Sequence, residues 1–335
     1  MKKRILWILL IVTCIAAVGS GILYARLFTP AFSKNQPVKL RIRSGWNLDK
    51  LATELERAAG IEDKEAFVYW ANKLGYKKVW PCTIDIEAGE GLYHFIQKLK
   101  TNRHQTANVV IRGSMDKQSL ALAVSEKLEI NPDSLILFLG EPAGLKPFGV
   151  TDTTWACLFI PNTYNLFVNT GLKGFMSRIA QEYRNFWNST RLDKARKQGL
   201  TPIQAAILAS IVTKESNKTD EYQNIAGVYI NRLRKGMLLQ ADPTVVFARG
   251  RSGRVLGPDL RIQSPYNTYL YKGLPPGPLC IPNKESLEAV LNYTHHNYLY
   301  FCAKADFSNY HQFAETLEEH NRNARAYHRA LDALP

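Results

Sequence analysis

Several chemistries are missing from this chain before any residue is assigned a role. Its five cysteines are Cys14, Cys82, Cys157, Cys280 and Cys302. No two of them form a C-x-x-C pair, which argues against a zinc ribbon or a thiol redox motif. Their pairing cannot be read from sequence, and buried free thiols are the expectation. No H-E-x-x-H, G-x-S-x-G or P-loop pattern occurs, so a zincin, an α/β-hydrolase and a P-loop nucleotidase find no support. His295 and His296 are adjacent; in a strand they would point apart, so a surface or internally satisfied role is expected rather than a metal site. No metal and no cofactor is expected. Low-complexity segments are missing too: 335 residues with 46% hydrophobic and 21% charged side chains describe a folded chain, with room for two or three modest domains.

Acidic residues are missing from the first 36 positions, which hold five basic ones. Lys2, Lys3 and Arg4 precede an uncharged apolar run from Ile5 to Ala25. That length suits a bilayer-spanning helix at about 1.5 Å per residue. The leading basic residues place residues 1–4 in the cytoplasm, an anchor at 5–26, and the remaining chain outside. A cleaved signal peptide is the competing reading, given the small residues Ala16, Ala17, Gly19 and Ser20. The run continues through Ile22, Leu23 and Tyr24, which favours a retained anchor in the cell membrane. A lipoprotein reading of Cys14 is disfavoured by Thr13 before it.

The net charge of +14 is unevenly spread: residues 37–149 hold 16 basic and 14 acidic residues, and 150–335 hold 22 and 15. The C-terminal bias suits an anionic polymer or a membrane surface, and suits a solvated basic face equally. Because the excess is split between the anchor and the C-terminal part, nucleic-acid binding is not expected.

After a polar linker over 27–37 comes an internal echo. Ile42-Arg-Ser-Gly45-Trp-Asn-Leu48 leads into Leu51 and Leu55, and Ile86-Glu-Ala-Gly89-Glu-Gly-Leu92 leads into Phe95 and Leu99. Each reads as a short strand, a glycine turn and an amphipathic helix, with a looser third copy from Val109 through Gly113 to Leu128. These units predict an α+β module over 38–145 and resemble the LysM sugar-binding module. A pure spacer role remains the alternative. The Gly-, Pro- and Thr-rich stretch from Leu145 to Thr154 marks the boundary to a second, mixed α+β domain over 150–335.

Within that domain, Thr201-Pro202 supplies a cap and a first-turn proline for a helix reading PIQAAILASIVTKES. Its apolar stripe includes Ile207, Leu208, Ile211 and Val212, and Glu215 continues it at spacings of seven, four and three. A carboxyl on a partly buried face has its pKa raised by desolvation. It then stays protonated near neutrality, as a general acid must. A fraying helix end, with Glu215 in water or beside a lysine, satisfies the same spacing. Downstream lie Asn224–Leu233, with Arg232 and Arg234 after its apolar positions. Three clusters rich in amides, hydroxyls, aromatics and prolines follow, at Gln240–Thr244, Ser264–Tyr269 and Gly273–Pro278. Sugar sites draw on such groups.

Taken in order, LASIVTKES, AGVYINRLRKGMLLQADPTVVF, SPYNTYLYKGLPPGPLCIP and the later YLYF, H-Q-F and H-N segments resemble the catalytic domain of the endolytic murein transglycosylase (MltG/YceG-like) family. The resemblance runs across roughly 158–325, and the β–α repeats and N-terminal apolar segment extend it. It implies a catalytic glutamate at Glu215. It also implies substrate-binding positions at Gln240, Asp242, Thr244, Tyr266, Asn267, Tyr269, Asn162 and Tyr164. Where the family's SIVEKE segment has a first acid, this chain has Thr213. Where the family often has Glu-Gly it has Ala156-Cys157, and Asn162 replaces an aspartate, so no acid chemistry can reside at those positions. His311 and the His320-Asn321 pair line the site or hold the last helix.

The resemblance further implies non-hydrolytic cleavage of the N-acetylmuramic acid–β-1,4–N-acetylglucosamine bond with a 1,6-anhydromuramoyl end. It makes glycan strands the substrate and membrane-bound peptidoglycan synthases the expected partners, with a role in ending strand elongation. Glu215 would donate to the leaving oxygen and then accept the C6 hydroxyl proton, while Gln240 or Asn267 orients the acetamido group. Two rivals stand: a hydrolase pairing Glu215 with Asp242, and a non-catalytic wall-binding scaffold.

Overall fold

The structure is a computed structural model that describes residues 2–333. Met1 of the expected cytoplasmic stretch and Leu334–Pro335 of the C-terminal domain lie outside the described residues. In chain order the elements are α1 (Lys2–Phe28), β1 (Val38–Ile42), α2 (Leu48–Ala59), α3 (Lys64–Lys73), β2 (Cys82–Ile86), α4 (Leu92–Thr101) and β3 (Thr106–Ile111). There follow α5 (Lys117–Lys127), α6 (Pro132–Phe138), α7 (Pro142–Leu145), β4 (Asn162–Phe167), α8 (Leu172–Phe186), α9 (Ser189–Lys197) and α10 (Pro202–Glu215). The chain closes with α11 (Tyr222–Arg234), α12 (Asp242–Arg249), α13 (Lys284–Leu291), β5 (Tyr300–Ala303), β6 (His311–Ala314) and α14 (Leu317–Asp332). Three two-stranded sheets, β1–β2, β3–β4 and β5–β6, complete an α+β architecture. Within α1, Leu10–Phe28 is long and apolar enough to cross a membrane, with a mean hydropathy of 1.8; a membrane anchor and a signal sequence both fit that description.

The chain divides into two compact units. One comprises 1–107, 127–129 and 165–170; the other comprises 108–126, 130–164 and 171–335. This division does not fall at the expected 145–150 boundary. Both β3 and β4 run from one unit into the other.

In the first unit the two echoed segments form as read. β1 and β2 pair antiparallel, Val38 opposite Ile86 and Ile42 opposite Cys82. The turn glycines Gly45 and Gly89 both take positive φ, +82° and +76°, which costs an L side chain strain that glycine avoids. α2 and α4 then bury Leu51, Leu55, Phe95 and Leu99 completely. The looser third copy does form a strand and a helix, β3 and α5. Its Gly113 serves a different purpose: a Cβ there would collide with Asn283 at 1.6 Å.

The 27–37 segment, expected as a polar linker, is pinned to the first unit instead. Pro30 bridges to Gly91 and Phe32 to Ile61. Ala31 donates to the Glu90 carbonyl, and Ser33 to that of Gly60. Phe32 is 5% exposed and packs edge-on against Phe95. Gly91 lies so close to Leu27 that a Cβ would sit 2.9 Å from its carbonyl oxygen.

The second unit is built around α10. Its capping box forms as the Thr201–Gln204 spacing predicts, with Pro202 in the first turn. The expected single apolar stripe is only part of its burial, because every residue from Ala205 to Thr213 is buried. α9, α11, α12 and α13 all pack against it. Ala205, Ala206 and Ala209 let those helices approach closely, and a helix apolar all round belongs inside a core. Cys82, Cys157 and Cys280 are buried free thiols, matching the sequence expectation.

Candidate active site

α10 leaves the core at its last turn: Thr213 is buried, Lys214 exposed and Glu215 partly exposed. Thr213 fixes the neighbouring chain. Its hydroxyl donates to the Ala209 carbonyl at 2.9 Å, accepts from the Asn283 backbone at 2.9 Å, and lies 2.7 Å from the Ser286 hydroxyl. The position where the resemblance implied an acid is here a hydroxyl hub that holds the start of α13.

Around Glu215 the groups come mainly from α11 and the loops after it. Tyr229, 1% exposed, donates its hydroxyl to Glu215 Oε1, leaving Oε2 without a protein partner among the described residues. Burial pushes the Glu215 carboxyl up to about 7; the Tyr229 bond opposes the rise, the Asp242 charge adds to it, and the Arg232 charge opposes it. Burial also raises the Tyr229 hydroxyl well above its ordinary range, so it is a neutral donor at neutral pH. Tyr269, raised by burial and by its bond to Asp242, is likewise neutral and donates to Asp242 Oδ1 at 2.6 Å. Each carboxylate thus has one tyrosine of its own.

Arg232 is the keystone behind them. It is 7% exposed and donates to the carbonyls of Leu299 at 2.6 Å, Leu238 at 3.2 Å and Leu239 at 2.9 Å. It reaches Gln240 Oε1 at 3.1 Å and stacks 5.1 Å from the Tyr300 ring centroid. Planar, always charged and rich in donors, a guanidinium fits such a junction as an ammonium would not. Gln240 itself sits at φ +49°, in the sparsely populated left-handed region.

Two clefts meet at this point. One, of about 700 Å³, runs from Glu215 and Asp242 past Val246 and Phe247 to Arg251–Val255. The other, of about 530 Å³, runs from the same two carboxyls past Tyr229, Arg232, Gln240 and Tyr269 to Tyr300, His311, His320 and Asn321. Glu221 steadies His311: one oxygen accepts from its backbone N–H at 2.8 Å, and the other lies 2.9 Å from the ring Nδ1.

The residues expected at the site separate into three groups. Glu215, Gln240, Asp242 and Tyr269 are brought together and line the clefts. Thr244 and Asn267 are completely buried, and their polar atoms are already bonded. Thr244 donates to the Ala241 carbonyl at 2.7 Å, and Asn267 donates to those of Leu260 and Ile262 at 3.0 and 2.9 Å. Substrate contact is corrected here to positioning, since both hold the loops that present Gln240 and Tyr269. Tyr266 packs against Phe247, ring centroids 4.5 Å apart and tilted by 37°, and supports the cleft wall from behind. Asn162 and Tyr164 line neither cleft. Tyr164 is completely buried and donates to the Ile160 carbonyl at 2.6 Å, while Asn162 caps its own strand by accepting from Thr163. Sequence reasoning gave no role to Tyr229 or Tyr300 and none of this depth to Arg232. The available signal was the three-residue spacing of Tyr229 and Arg232, which sets them on one helix face.

A family model described as the YceG-like family matches residues 40–326. The chain belongs to the YceG-like family. It is 28% identical over 330 residues to an endolytic murein transglycosylase of Bacillus subtilis, covering 92% of this chain and 91% of that protein. It is 32% identical over 319 residues to the protein of the same name from Streptococcus pneumoniae, covering 85% of this chain and 57% of that longer protein. A crystal structure of a putative yceG-like protein from Listeria monocytogenes shares the fold, with a TM-score of 0.58 and 25% identity over 86% of this chain and 99% of that one. This YceG-like chain therefore carries the family's fold with Glu215 at the junction of its two clefts.

Proposed function

We propose that the chain is a membrane-anchored endolytic peptidoglycan lytic transglycosylase with Glu215 as its acid/base. One observation carries the reading: Glu215, with its carboxyl pushed up to about 7, is shared with Asp242 by two clefts. A polymer threaded through both places its scissile bond at the junction and has sugars on either side of it, as internal cleavage requires. The named relatives support the same reaction class.

Glu215 Oε2 donates its proton to the bridging oxygen between muramoyl C1 and the leaving N-acetylglucosamine, and the C1–O bond breaks. The carboxylate then accepts the proton of the muramoyl C6 hydroxyl as that oxygen bonds to C1. The 1,6-anhydro end forms and the acid is regenerated without water. An intramolecular nucleophile needs no activation beyond this, since its effective concentration is high. Tyr229 holds Oε1, which aims Oε2. Gln240, fixed by Arg232 and exposed in the cleft, is the group we assign to the substrate acetamido; buried Asn267 is not available for it.

The first unit, with its paired β–α segments, serves as the LysM-like glycan module. α1 is the anchor, facing the outer domains toward wall synthases and nascent strands whose growth the cleavage ends. The decisive experiment is muropeptide mass analysis of intact sacculi digested by wild-type and Glu215→Gln protein. Anhydro ends from wild type and none from the variant are expected. Products heavier by one water would assign a hydrolase using Asp242. Unchanged strand release by the variant would remove Glu215 from the mechanism, and sacculus binding with no release by either protein would point to a scaffold.

A further inference from the structure

The mechanism uses the Glu215 end of the larger cleft and leaves its far lip without a role. There the chain from Arg251 to Pro258 adopts neither helix nor strand, yet it is held by one buried ion pair. Arg249, whose side chain is 3% exposed, pairs with Asp259 at 2.6 Å. The same guanidinium donates to the carbonyls of Arg251 and Arg254, both at 3.0 Å, and to that of Gly253. Asp259 also accepts from the Leu256 backbone at 2.9 Å. A buried pair whose guanidinium also bonds three carbonyls of the loop fixes the loop it closes.

That clasp presents two further guanidinium groups to the cleft. The Arg251 side chain is 72% exposed and only loosely paired with Asp259 at 3.7 Å. Arg254 is exposed and joins no ion pair among the described residues. The anionic groups that line the same cleft have partners of their own: Asp242 accepts from Tyr269 at 2.6 Å, and Asp116 accepts from Ser119 at 2.6 Å, within the field of Lys214. Planar guanidinium forks on a fixed loop match carboxylates. α12 separates the lip from Asp242 by seven residue rises, about 10 Å. A peptide stem extends about 3.3 Å per residue and spans that distance in a few residues, whereas the lactyl carboxylate of the reacting sugar is confined near its ring.

We propose that Arg251 and Arg254 form a carboxylate-binding subsite for the peptide stems of the glycan strand, so that the enzyme prefers stem-bearing over bare glycan. This rests on the reading of Glu215 as the cleavage site. The test uses the full chain in detergent and three substrates: strands with free stem carboxylates, the same strands with those carboxylates amidated, and stem-free strands that keep the lactyl carboxylate. Anhydro-end release gives kcat/KM for each. Wild type is expected to lose about ten-fold on amidated and on stem-free strands, the size of one charge-assisted fork. Arg251→Gln/Arg254→Gln is expected to abolish the difference through KM, Arg251→Lys/Arg254→Lys to restore part of it, and Lys197→Gln, a surface charge outside the clefts, to keep it whole.

Equal wild-type rates on free and amidated stems, or a double variant that retains the preference, would overturn the subsite. Equal rates on stem-bearing and stem-free strands, with loss only on amidation, would mean that the lactyl carboxylate freed by stem removal serves as well, and would also overturn a stem-specific subsite. Failure of the underlying reading looks different: no anhydro ends from any of the three substrates.

Discussion

Glu215 is held between opposing influences, and each can be removed separately. Burial and the Asp242 charge raise its pKa from 4.5 to about 7, while Tyr229 and Arg232 favour the carboxylate. In the proposed role of general acid it works protonated, so kcat/KM is expected to fall as pH rises through about 7. Tyr229→Phe removes a stabiliser of the anion and should move that limb to higher pH, with a roughly ten-fold loss of kcat as Oε2 loses its aim, less than the roughly 10²–10⁴-fold contribution of an acid–base group itself. Asp242→Asn removes a repelling charge and should move the limb to lower pH. A pH–rate profile of each variant reads these directions, and limbs that stay in place would detach Glu215 from the proton transfer.

The same shift carries a stability consequence. A carboxyl with a raised folded pKa binds more protons folded than unfolded, so stability falls as pH rises from 4.5 towards 7 and stays low above it. Glu215→Gln abolishes that term. Its thermal unfolding should match wild type at pH 4 and exceed it at pH 8, by about 1–2 kcal/mol once partial solvent access is discounted. An inactive variant that is also more stable at alkaline pH separates loss of chemistry from loss of fold.

At the scale of elements, α10 shows both how far the sequence could be read and where it stopped. Its cap, its first-turn proline and the carboxyl at its end were legible because they depend on local chemistry. Its burial on every face was not, because Ala205, Ala206 and Ala209 read as neutral until four other helices close around them. The loop residues failed for a related reason. Asn267 and Thr244 belong to the types that bind sugar hydroxyls, and those same types bind stray carbonyls in a tight loop; only the closed loop shows which they do. Tyr229 was hidden for want of a partner, since its role depends on α10 lying alongside α11. Thr213 tests the element directly. Thr213→Val keeps the shape of the side chain but leaves the Asn283 N–H and the Ser286 hydroxyl without that partner. A destabilisation of about 1–3 kcal/mol is expected from buried groups left unbonded. Chemical denaturation measures it, and a neutral outcome would mean that the start of α13 is held elsewhere.

At the scale of the whole chain, the segment after α1 decides where a soluble protein can begin. Were 27–37 a free linker, cutting before Thr29 or after Lys34 would give fragments of equal stability. Phe32 is instead buried against Phe95, with Ala31 and Ser33 bonded on either side. A fragment starting at Thr29 keeps that strap, and one starting at Asn35 removes it. Loss of a buried phenylalanine costs about 3–5 kcal/mol, before the two backbone bonds are considered. The first unit of the shorter fragment should therefore unfold at a melting temperature more than about 10 °C lower, given the shift per kcal/mol of a small domain. Phe32→Ala in the longer fragment should reproduce most of that loss without changing length. Calorimetry of the three proteins resolves it, because the second unit provides an internal reference transition. Equal first transitions would restore the linker reading. An early transition in both altered proteins would establish that the chain leaving α1 is part of the folded unit, so that α1 and the β1–β2 core meet with no slack between them.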